Sequence, residues 1–276
     1  MNIKHIIYTR FSNVAFGFTE EELLDEVRLT EKLNIFINNT YPSMMSQTNQ
    51  NFEWVIQVHD NIPKKIYDGL KLLKKITVIK NSECGNVINW SFEKFVTKDT
   101  DFVVTTRLDD DDMLHLNSID QIQNSINQKT LLKIFGFGNG CSGYSNEFFE
   151  MSPNYNNQGF IALGLSIIYN YKIYDNIKLT VLNTGGIHVN FKNSILDNWI
   201  PIFNKINKIP VEYLESDNFW ENKINPYPSY IYNRNDFSDS KRKTGDSFKP
   251  HFTNLVVDHS VITKYFNLVP SESRLD

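Results

Sequence analysis

Cysteine is scarce in this chain: Cys84 and Cys141 are the two among 276 residues. Two cysteines cannot build the disulfide framework of a small secreted domain, so the sequence fits a reducing compartment. Long apolar runs are lacking too. The sequence contains no stretch of about 18 uninterrupted apolar residues, the length that spans a bilayer. The opening MNIKHIIYTRF has too short an apolar run for a signal peptide. We therefore expect a cytoplasmic protein, in solution or peripheral to a membrane, with no integral membrane segment.

A surplus of basic charge is also lacking. The formal net charge is -4 and the sequence pI is about 5.9, whereas sequence-independent binding of nucleic acid needs a basic surface. We therefore expect no nucleic-acid partner. The chain contains no internal repeat and no linker that would separate two independent domains. Residues 1–276 are therefore predicted to form a single domain.

Short apolar runs alternate with amphipathic stretches through the first half of the chain. The runs are typical of β-strands and occur at Ile3–Thr9, Trp54–Val58, Ile76–Ile79 and Phe102–Leu108. Between them, apolar residues recur at helical spacing. Strands that alternate with helices predict an α/β fold with a doubly wound, mostly parallel sheet, whose Rossmann-like half lies in the first part of the chain.

The second half of the chain is less regular. Phe160–Tyr169 and Leu179–Leu182 are apolar enough for strands, and apolar residues recur at helical spacing over 195–206. Residues 225–249 are rich in Pro, Tyr, Asn, Asp, Ser and Lys. This composition predicts a long loop that is mobile or ordered by a ligand.

Four consecutive aspartates, Asp109–Asp112, follow the run Phe102–Leu108, whose start is apolar. Such a run indicates a central strand buried on both faces, and ligands of open α/β sheets bind where strands end. The strand period of two would direct Asp109 and Asp111 to one side and Asp110 and Asp112 to the other. Two carboxylates about 4 Å apart repel by about 1 kcal/mol in water and about 4 kcal/mol at a partly shielded surface. The cluster is therefore either a solvated acidic turn or a site for Mg²⁺ or Mn²⁺. Asp112 is also a candidate N-cap for the following helix.

Three segments, in order along the chain, resemble one enzyme family. Thr105–Leu114 is similar to the DxD region of GT-A-fold glycosyltransferases, in particular the rhamnosyltransferase-like branch of the inverting family-2 type enzymes. His5–Phe11 is similar to the opening strand of that branch, and Tyr41–Trp54 to its helix end and second strand. The resemblance implies a GT-A fold with a nucleotide-sugar-binding half at 1–125 and an irregular acceptor-side half at 126–276.

The resemblance implies roles for residues at three strand ends. Thr9 and Arg10 would line the nucleotide pocket, and Asp60 would face the base or ribose. Asp109 would approach the ribose or sugar of the donor. Asp109 and Asp111 would hold the Mn²⁺ or Mg²⁺ that bridges the diphosphate.

Two neighbours in the acidic segment complete this half of the predicted site. Asp110 is assigned to donor binding with the rest of the cluster. Arg107 is either an internal counter-ion for the aspartates or a contact of the donor.

Further candidates lie in the second half. Asp217, with Glu215 in reserve, would be the carboxylate that deprotonates the acceptor hydroxyl, although Glu215-Ser216-Asp217 replaces the family's adjacent acidic pair and an ordinary helix cap is the alternative. Arg234 and Lys241 would fold over the diphosphate or belong to a solvated basic loop. His259 would be a third metal ligand, or a structural or surface histidine.

The expected reaction is transfer of a sugar from a UDP-, dTDP- or GDP-sugar to a hydroxyl of a glycan or small-molecule acceptor, with inversion. A divalent cation and basic groups would stabilise the negative charge that grows on the departing diphosphate. One alternative is a sugar-phosphate nucleotidyltransferase, although residues 1–20 lack the Gly-rich phosphate loop of such enzymes. The other is a non-catalytic carbohydrate-binding protein, which would need no metal cluster at a strand end.

Overall fold

The computed structural model of the chain describes residues 1–13, 18–137, 140–144, 147–151, 163–175, 178, 180–184, 220–221, 230–233 and 252–267. The strands in chain order are β1 (Ile3–Phe11), β2 (Glu53–Val58), β3 (Ile76–Lys80), β4 (Phe102–Arg107), β5 (Met113–Leu114), β6 (Leu132–Phe135), β7 (Cys141–Tyr144), β8 (Glu147–Met151), β9 (Ser166–Asn170), β10 (Trp220–Glu221), β11 (Tyr230–Asn233) and β12 (Phe252–Val256). The helices are α1 (Glu20–Leu23), α2 (Glu26–Ile35), α3 (Tyr41–Met45), α4 (Lys64–Lys71), α5 (Asn81–Cys84), α6 (Val87–Phe95), α7 (Ser118–Asn124) and α8 (His259–Phe266). A π-helical turn (Phe36–Thr40) joins α2 to α3, and Val181–Thr184 is a 3-10 turn.

The main sheet has seven strands in the order β10-β6-β9-β4-β1-β2-β3. The four strands β4, β1, β2 and β3 pair in parallel, with helices in the connections between them. Beyond β4 the sheet becomes mixed, because β9 pairs antiparallel with both β4 and β6. The predicted α/β class with a mostly parallel sheet is therefore confirmed, and the strand predicted within 160–169 is present as β9.

Side chains of the sheet alternate between two buried faces. In β1, Ile7 and Phe11 belong to one apolar cluster, whereas Ile6 and Tyr8 belong to another on the opposite face. All six residues of β4 are buried. A strand covered on both faces is rich in apolar residues, and the apolar start of β4, Phe102–Val104, carries that signal in the sequence.

A second sheet of five strands has the order β12-β8-β7-β11-β5. Its edge strand β5 begins directly after Asp112 and pairs antiparallel with β11. The prediction that Asp112 caps the next helix is therefore wrong: α7 begins at Ser118, six residues later, after Asn117. The acidic segment instead joins the two sheets.

Two other predictions in the second half differ from the structure. The described part of the predicted strand Leu179–Leu182, residues 180–182, is not a strand, because the backbone N–H of Val181 donates to Thr105 Oγ1 of β4 at 2.9 Å and a 3-10 turn begins there. Within the predicted loop 225–249, residues Tyr230–Asn233 form β11 between β5 and β7. The predicted helix over 195–206 lies outside the described residues.

Two general features complete the description of the fold. Cys84 is half-buried, Cys141 is buried, and both are free thiols. Of the helices in the described part of the chain, none has both the length and the apolar character that crossing a bilayer requires.

Candidate functional site

The carboxyl ends of β1 to β4 lie at one edge of the main sheet, because these strands run parallel. This edge carries Arg10–Asn13 from the end of β1, Asp60 after β2, Asn81 after β3, and Arg107–Asp112 from the end of β4. Ligands of open α/β sheets bind outside this edge. The structure therefore brings the first-half candidates to one side of the molecule.

Arg107 and Asp109 form an ion pair through two hydrogen bonds. Arg107 Nε donates to Asp109 Oδ1 and Arg107 Nη2 donates to Asp109 Oδ2, each at 3.0 Å. Burial acts to lower the pKa of the Arg107 guanidinium, but the Asp109 charge and hydrogen bonds, together with the Asp112 charge, raise that pKa above its ordinary value. Of the two roles predicted for Arg107, the structure places it as an internal counter-ion of the aspartates, and its contact with the donor stays a prediction.

Asp110 forms a buried ion pair with Lys32 of α2. Lys32 Nζ lies 3.0 Å from Asp110 Oδ1 and 2.9 Å from Asp110 Oδ2, and the two side chains are 3% and 6% exposed. Lys32 was not predicted as a site residue, although its spacing from Leu29 and Phe36 places it on the buried face of the helix. The Asp110 carboxylate therefore has an internal partner, and its predicted contact with the donor stays a prediction.

The four aspartates alternate in burial. Asp110 and Asp112 are buried, whereas Asp109 and Asp111 are partly exposed. A turn closes the segment, since the Asp112 backbone N–H donates to the Asp109 carbonyl at 3.4 Å. We call Asp109–Asp112 the acidic turn. Its burial pattern agrees with the predicted division into two sides, with Asp109 and Asp111 on the accessible side.

The chemistry of the acidic turn fits a divalent cation completed by substrate. Each Asp109 oxygen accepts a hydrogen bond from Arg107, and an ionised carboxylate offers about four lone-pair sites in all. Among the described residues, no group of three or more His, Cys, Asp or Glu side chains is arranged to hold a metal. Mg²⁺ is usually bound by one or two carboxylates plus substrate phosphates rather than by an all-protein cage. Asp109 and Asp111 are the residues that would hold such an ion.

The end of β1 is held by internal contacts. Thr9 is buried, and its Oγ1 accepts a hydrogen bond from Trp54 Nε1 at 2.9 Å. Ser12 is also buried and has a φ of 45°, a conformation that non-glycine residues rarely adopt and that clusters at functional sites. Arg28 Nη1 donates to Ser12 Oγ at 3.1 Å. The predicted pocket residue Thr9 is therefore an internal contact, whereas Arg10 is half-buried at the same strand end.

Asp60 and a chain of amides line the ends of β2 and β3. The Asp60 carboxylate accepts the Ser82 backbone N–H at 2.7 Å, and this bond is the main cause of a lowered Asp60 pKa. Gln57 Nε2 donates to Asn81 Oδ1 at 2.9 Å, and Asn81 Nδ2 donates in turn to Asn13. These hydrogen-bonded amides were not predicted from sequence, because single amides carry no pattern that distinguishes them from ordinary turn residues.

The second-half candidates are placed differently. His259 is exposed in the first turn of α8. Its ring packs edge-on against the Phe148 ring, with the two ring centroids 5.2 Å apart. Within the described residues, His259 is not gathered with Asp109 and Asp111 into a group of metal ligands. His259 thus makes a packing contact with the second sheet, and its predicted role as a metal ligand stays a prediction.

Four predicted site residues lie outside the described residues: Asp217, Glu215, Arg234 and Lys241. Their predicted roles in acceptor activation and diphosphate binding stay predictions.

Residues 5–135 match the sequence family described as "Putative rhamnosyl transferase". The matched range runs from β1 to β6 and contains the acidic turn, Lys32 and Asp60. The matched range is a little under half of the 276-residue chain. The resemblance predicted from the three sequence motifs is therefore confirmed. No curated protein sequence matches the chain.

Solved structures give weaker similarities. Staphylococcus aureus TarS has 14% identity and a TM-score of 0.37 over 85% of this chain and 37% of that chain. TarS 1–349 in complex with UDP has the same identity and TM-score, with 61% of that chain covered. A structure titled "putative nucleotide-diphospho-sugar transferase", from Desulfovibrio desulfuricans G20, has 8% identity and a TM-score of 0.37 over 86% of this chain and 83% of that one. The chain thus spans 37% of the length of the first of these structures.

Proposed function

We propose that this chain transfers a sugar from a nucleotide-sugar donor to a hydroxyl of an acceptor, with Mn²⁺ or Mg²⁺ bound at the acidic turn. One observation carries the proposal. Within residues 5–135, which match a glycosyltransferase family, Asp109 and Asp111 are partly exposed and lie at the ligand-binding edge of a parallel sheet. The family supplies the class of reaction, and the turn supplies oxygen ligands of the kind that hard cations prefer.

Arg107 orients Asp109 in this proposal. Both donors of the guanidinium fork are directed at one carboxylate, so the Asp109 side chain cannot rotate without losing two charge-assisted hydrogen bonds. A bound divalent cation would stabilise the negative charge that develops on the departing nucleoside diphosphate. Asp109 and Asp111 would hold that ion, and the positive charge of Arg107 would add to its effect.

The nucleoside would lie over the ends of β1, β2 and β3. Asp60 is exposed enough to be ionised at neutral pH, and the hydrogen bond from Ser82 holds its pKa below the ordinary value, so its carboxylate would accept hydrogen bonds from ribose hydroxyls. Arg10 and the amides of Asn13 and Asn81 offer further donors and acceptors at the same edge. We propose UDP-, dTDP- or GDP-sugars as donors, because a polar edge of this kind suits any of the three.

The acceptor would be deprotonated by a carboxylate separate from the acidic turn. We propose Asp217 for this role, with Glu215 as the alternative, and inversion at the anomeric carbon as the outcome. Arg234 and Lys241 would approach the diphosphate from the acceptor-side half. A glycan or small-molecule hydroxyl is the proposed acceptor.

Thermal unfolding against a panel of nucleotides tests the proposal. UDP, dTDP, GDP and their sugar conjugates, each with and without Mn²⁺, should include one that raises Tm only when metal is present. A ligand at about a hundredfold its Kd stabilises the fold by about 2.7 kcal/mol. Nucleoside triphosphates belong in the panel as well, because a nucleotidyltransferase would prefer them to diphosphates. If no metal–nucleotide pair raises the Tm, the proposed function is rejected.

A further inference from the structure

The acidic turn rests on a cation that comes from a distant part of the chain. Lys32 lies 78 residues before Asp110, yet its ammonium group contacts both Asp110 oxygens at 2.9–3.0 Å. Both side chains are almost wholly excluded from solvent. Lysine is almost never buried unless it is paired. A pair this deep is therefore a specific contact between α2 and the turn.

A second contact from the same segment holds the backbone of the turn. Thr40 is buried at the end of the π-helical turn, and its Oγ1 donates to the Asp110 carbonyl at 3.0 Å. Ser43 Oγ in turn donates to the Thr40 carbonyl at 2.8 Å. Single π-helical turns are rare in proteins, and those that occur are often found at functional sites. The side chain and the carbonyl of Asp110 are thus both fixed from the α2–α3 segment.

The chain that leaves the turn is fixed from the same side. Gln47 Nε2 donates to the His115 carbonyl at 2.9 Å, and Gln47 Oε1 accepts the Ile119 backbone N–H at 3.1 Å. The Thr48 backbone N–H donates to the Leu116 carbonyl at 2.8 Å. Residues 32–48 therefore form a continuous support under the acidic turn and the segment that follows it.

We propose that Lys32 is a positioning residue: by pairing with Asp110 it holds the acidic turn so that Asp109 and Asp111 face the donor and its cation. The pairing also offsets one of the turn's adjacent carboxylate charges, which lowers their mutual repulsion. The part that concerns the donor rests on the proposed function. The part that concerns the order of the turn does not.

The double variant Lys32→Met/Asp110→Asn tests this role. It removes both charges together and leaves no unpaired buried charge, a change that is often neutral for stability. We expect a Tm close to that of the parent, but Mn²⁺-dependent nucleotide affinity lower by about 10- to 100-fold, the usual effect of losing an outer-shell contact. Lys133→Met is the matched control, since Lys133 is 5% exposed and donates to the Ser125 carbonyl. The control should bind nucleotide like the parent.

Hydrogen exchange in the ligand-free protein provides a readout that does not depend on nucleotide binding. The peptide that covers 108–113 should exchange faster in the double variant. The hydrogen bond from the Asp112 backbone N–H to the Asp109 carbonyl would no longer be supported by the Lys32–Asp110 pair. Thr40→Val, which keeps the side-chain shape, should increase exchange in the same peptide and serves if the double variant does not fold. Unchanged exchange in that peptide, or parent-like nucleotide affinity in a folded double variant, overturns the proposal. If the parent binds no metal–nucleotide pair, the proposed function fails and exchange alone decides the role of Lys32.

Discussion

Arg107 and Asp109 lie two residues apart and meet in a two-point ion pair, with both N–O distances at 3.0 Å. Their side chains are 10% and 25% exposed, so the pair sits at the boundary between the core and the ligand-binding edge. The same guanidinium therefore orients Asp109 and keeps a positive charge beside the turn. Both effects can be separated by substitution.

Arg107→Lys should weaken metal-dependent nucleotide binding by about tenfold. Lysine keeps the charge but loses the planar fork that makes two parallel hydrogen bonds with one carboxylate. Calorimetric titration of Mn²⁺ and nucleotide into the folded variant measures the effect. Affinity equal to that of the parent would mean that the orientation of Asp109 has no part in binding.

Thr9→Val should destabilise the fold without changing nucleotide affinity. Valine keeps the shape of threonine but leaves Trp54 Nε1 without the acceptor it has now, and an unsatisfied buried donor costs about 1–3 kcal/mol. Urea unfolding and calorimetry of the same sample separate the two quantities. If stability is unaltered and nucleotide binding is weaker, Thr9 contacts the nucleotide instead.

Buried His5 should make stability fall at acidic pH. Its Nε2 lies 2.7 Å from Thr106 Oγ1 and its Nδ1 lies 3.2 Å from Gln123 Nε2, and burial lowers the pKa of the ring to about 3. The unfolded chain takes up a proton at a pKa of about 6.5, whereas the folded chain resists it. This contribution to stability is therefore complete above the unfolded pKa and is lost as pH falls from about 6.5 toward 3, by at most about 1.4 kcal/mol per pH unit.

His5→Gln should flatten that dependence of the free energy of unfolding on pH. His115 will keep part of the slope, because burial lowers its pKa to about 4. Urea unfolding at a series of pH values measures the slope, and His259→Gln, which replaces an exposed histidine, is the control. A slope in His5→Gln as steep as that of the parent would contradict the assignment of a neutral buried imidazole.

Asp217→Asn should lower kcat by about 10²–10⁴-fold, the usual contribution of a positioned base, and should leave donor and metal affinity intact. Glu215→Gln belongs in the same assay as the alternative. Product configuration, determined by NMR at the anomeric centre, tests inversion. Normal turnover of Asp217→Asn, or retained configuration, would reject this mechanism.

The central strands and the acidic turn could be predicted from sequence because each has a local signal. β4 begins with the apolar residues Phe102–Val104, and Leu108 alone separates its end from Asp109–Asp112, so the sequence marks both the buried strand and its ligand-binding end. The pairing of Lys32 with Asp110 has no such signal. A lysine in an amphipathic helix is ordinarily solvated, and its partner lies 78 residues away.

The second sheet could not be predicted, because its strands are short and their partners are distant in the chain. β5 has two residues, and its neighbour β11 lies within a stretch whose composition is that of a loop. Pairing between such strands depends on tertiary contacts rather than on local preference. The same dependence explains Asp112, which leads into β5 although its sequence context suits a helix cap.

The most direct test of the account is calorimetric titration of Mn²⁺ with UDP, dTDP and GDP into the parent and into Asp111→Asn. We expect the parent to bind at least one metal–nucleotide pair and Asp111→Asn to lose this binding. The Tm of Asp111→Asn without ligand should stay at or above that of the parent, because a repulsive charge is removed. Asp99→Asn, which removes an exposed carboxylate just before β4 at the opposite edge of the sheet, is the matched control and should bind like the parent. If Asp111→Asn binds every metal–nucleotide pair that the parent binds, with the parent's affinity, a metal site at the acidic turn is contradicted.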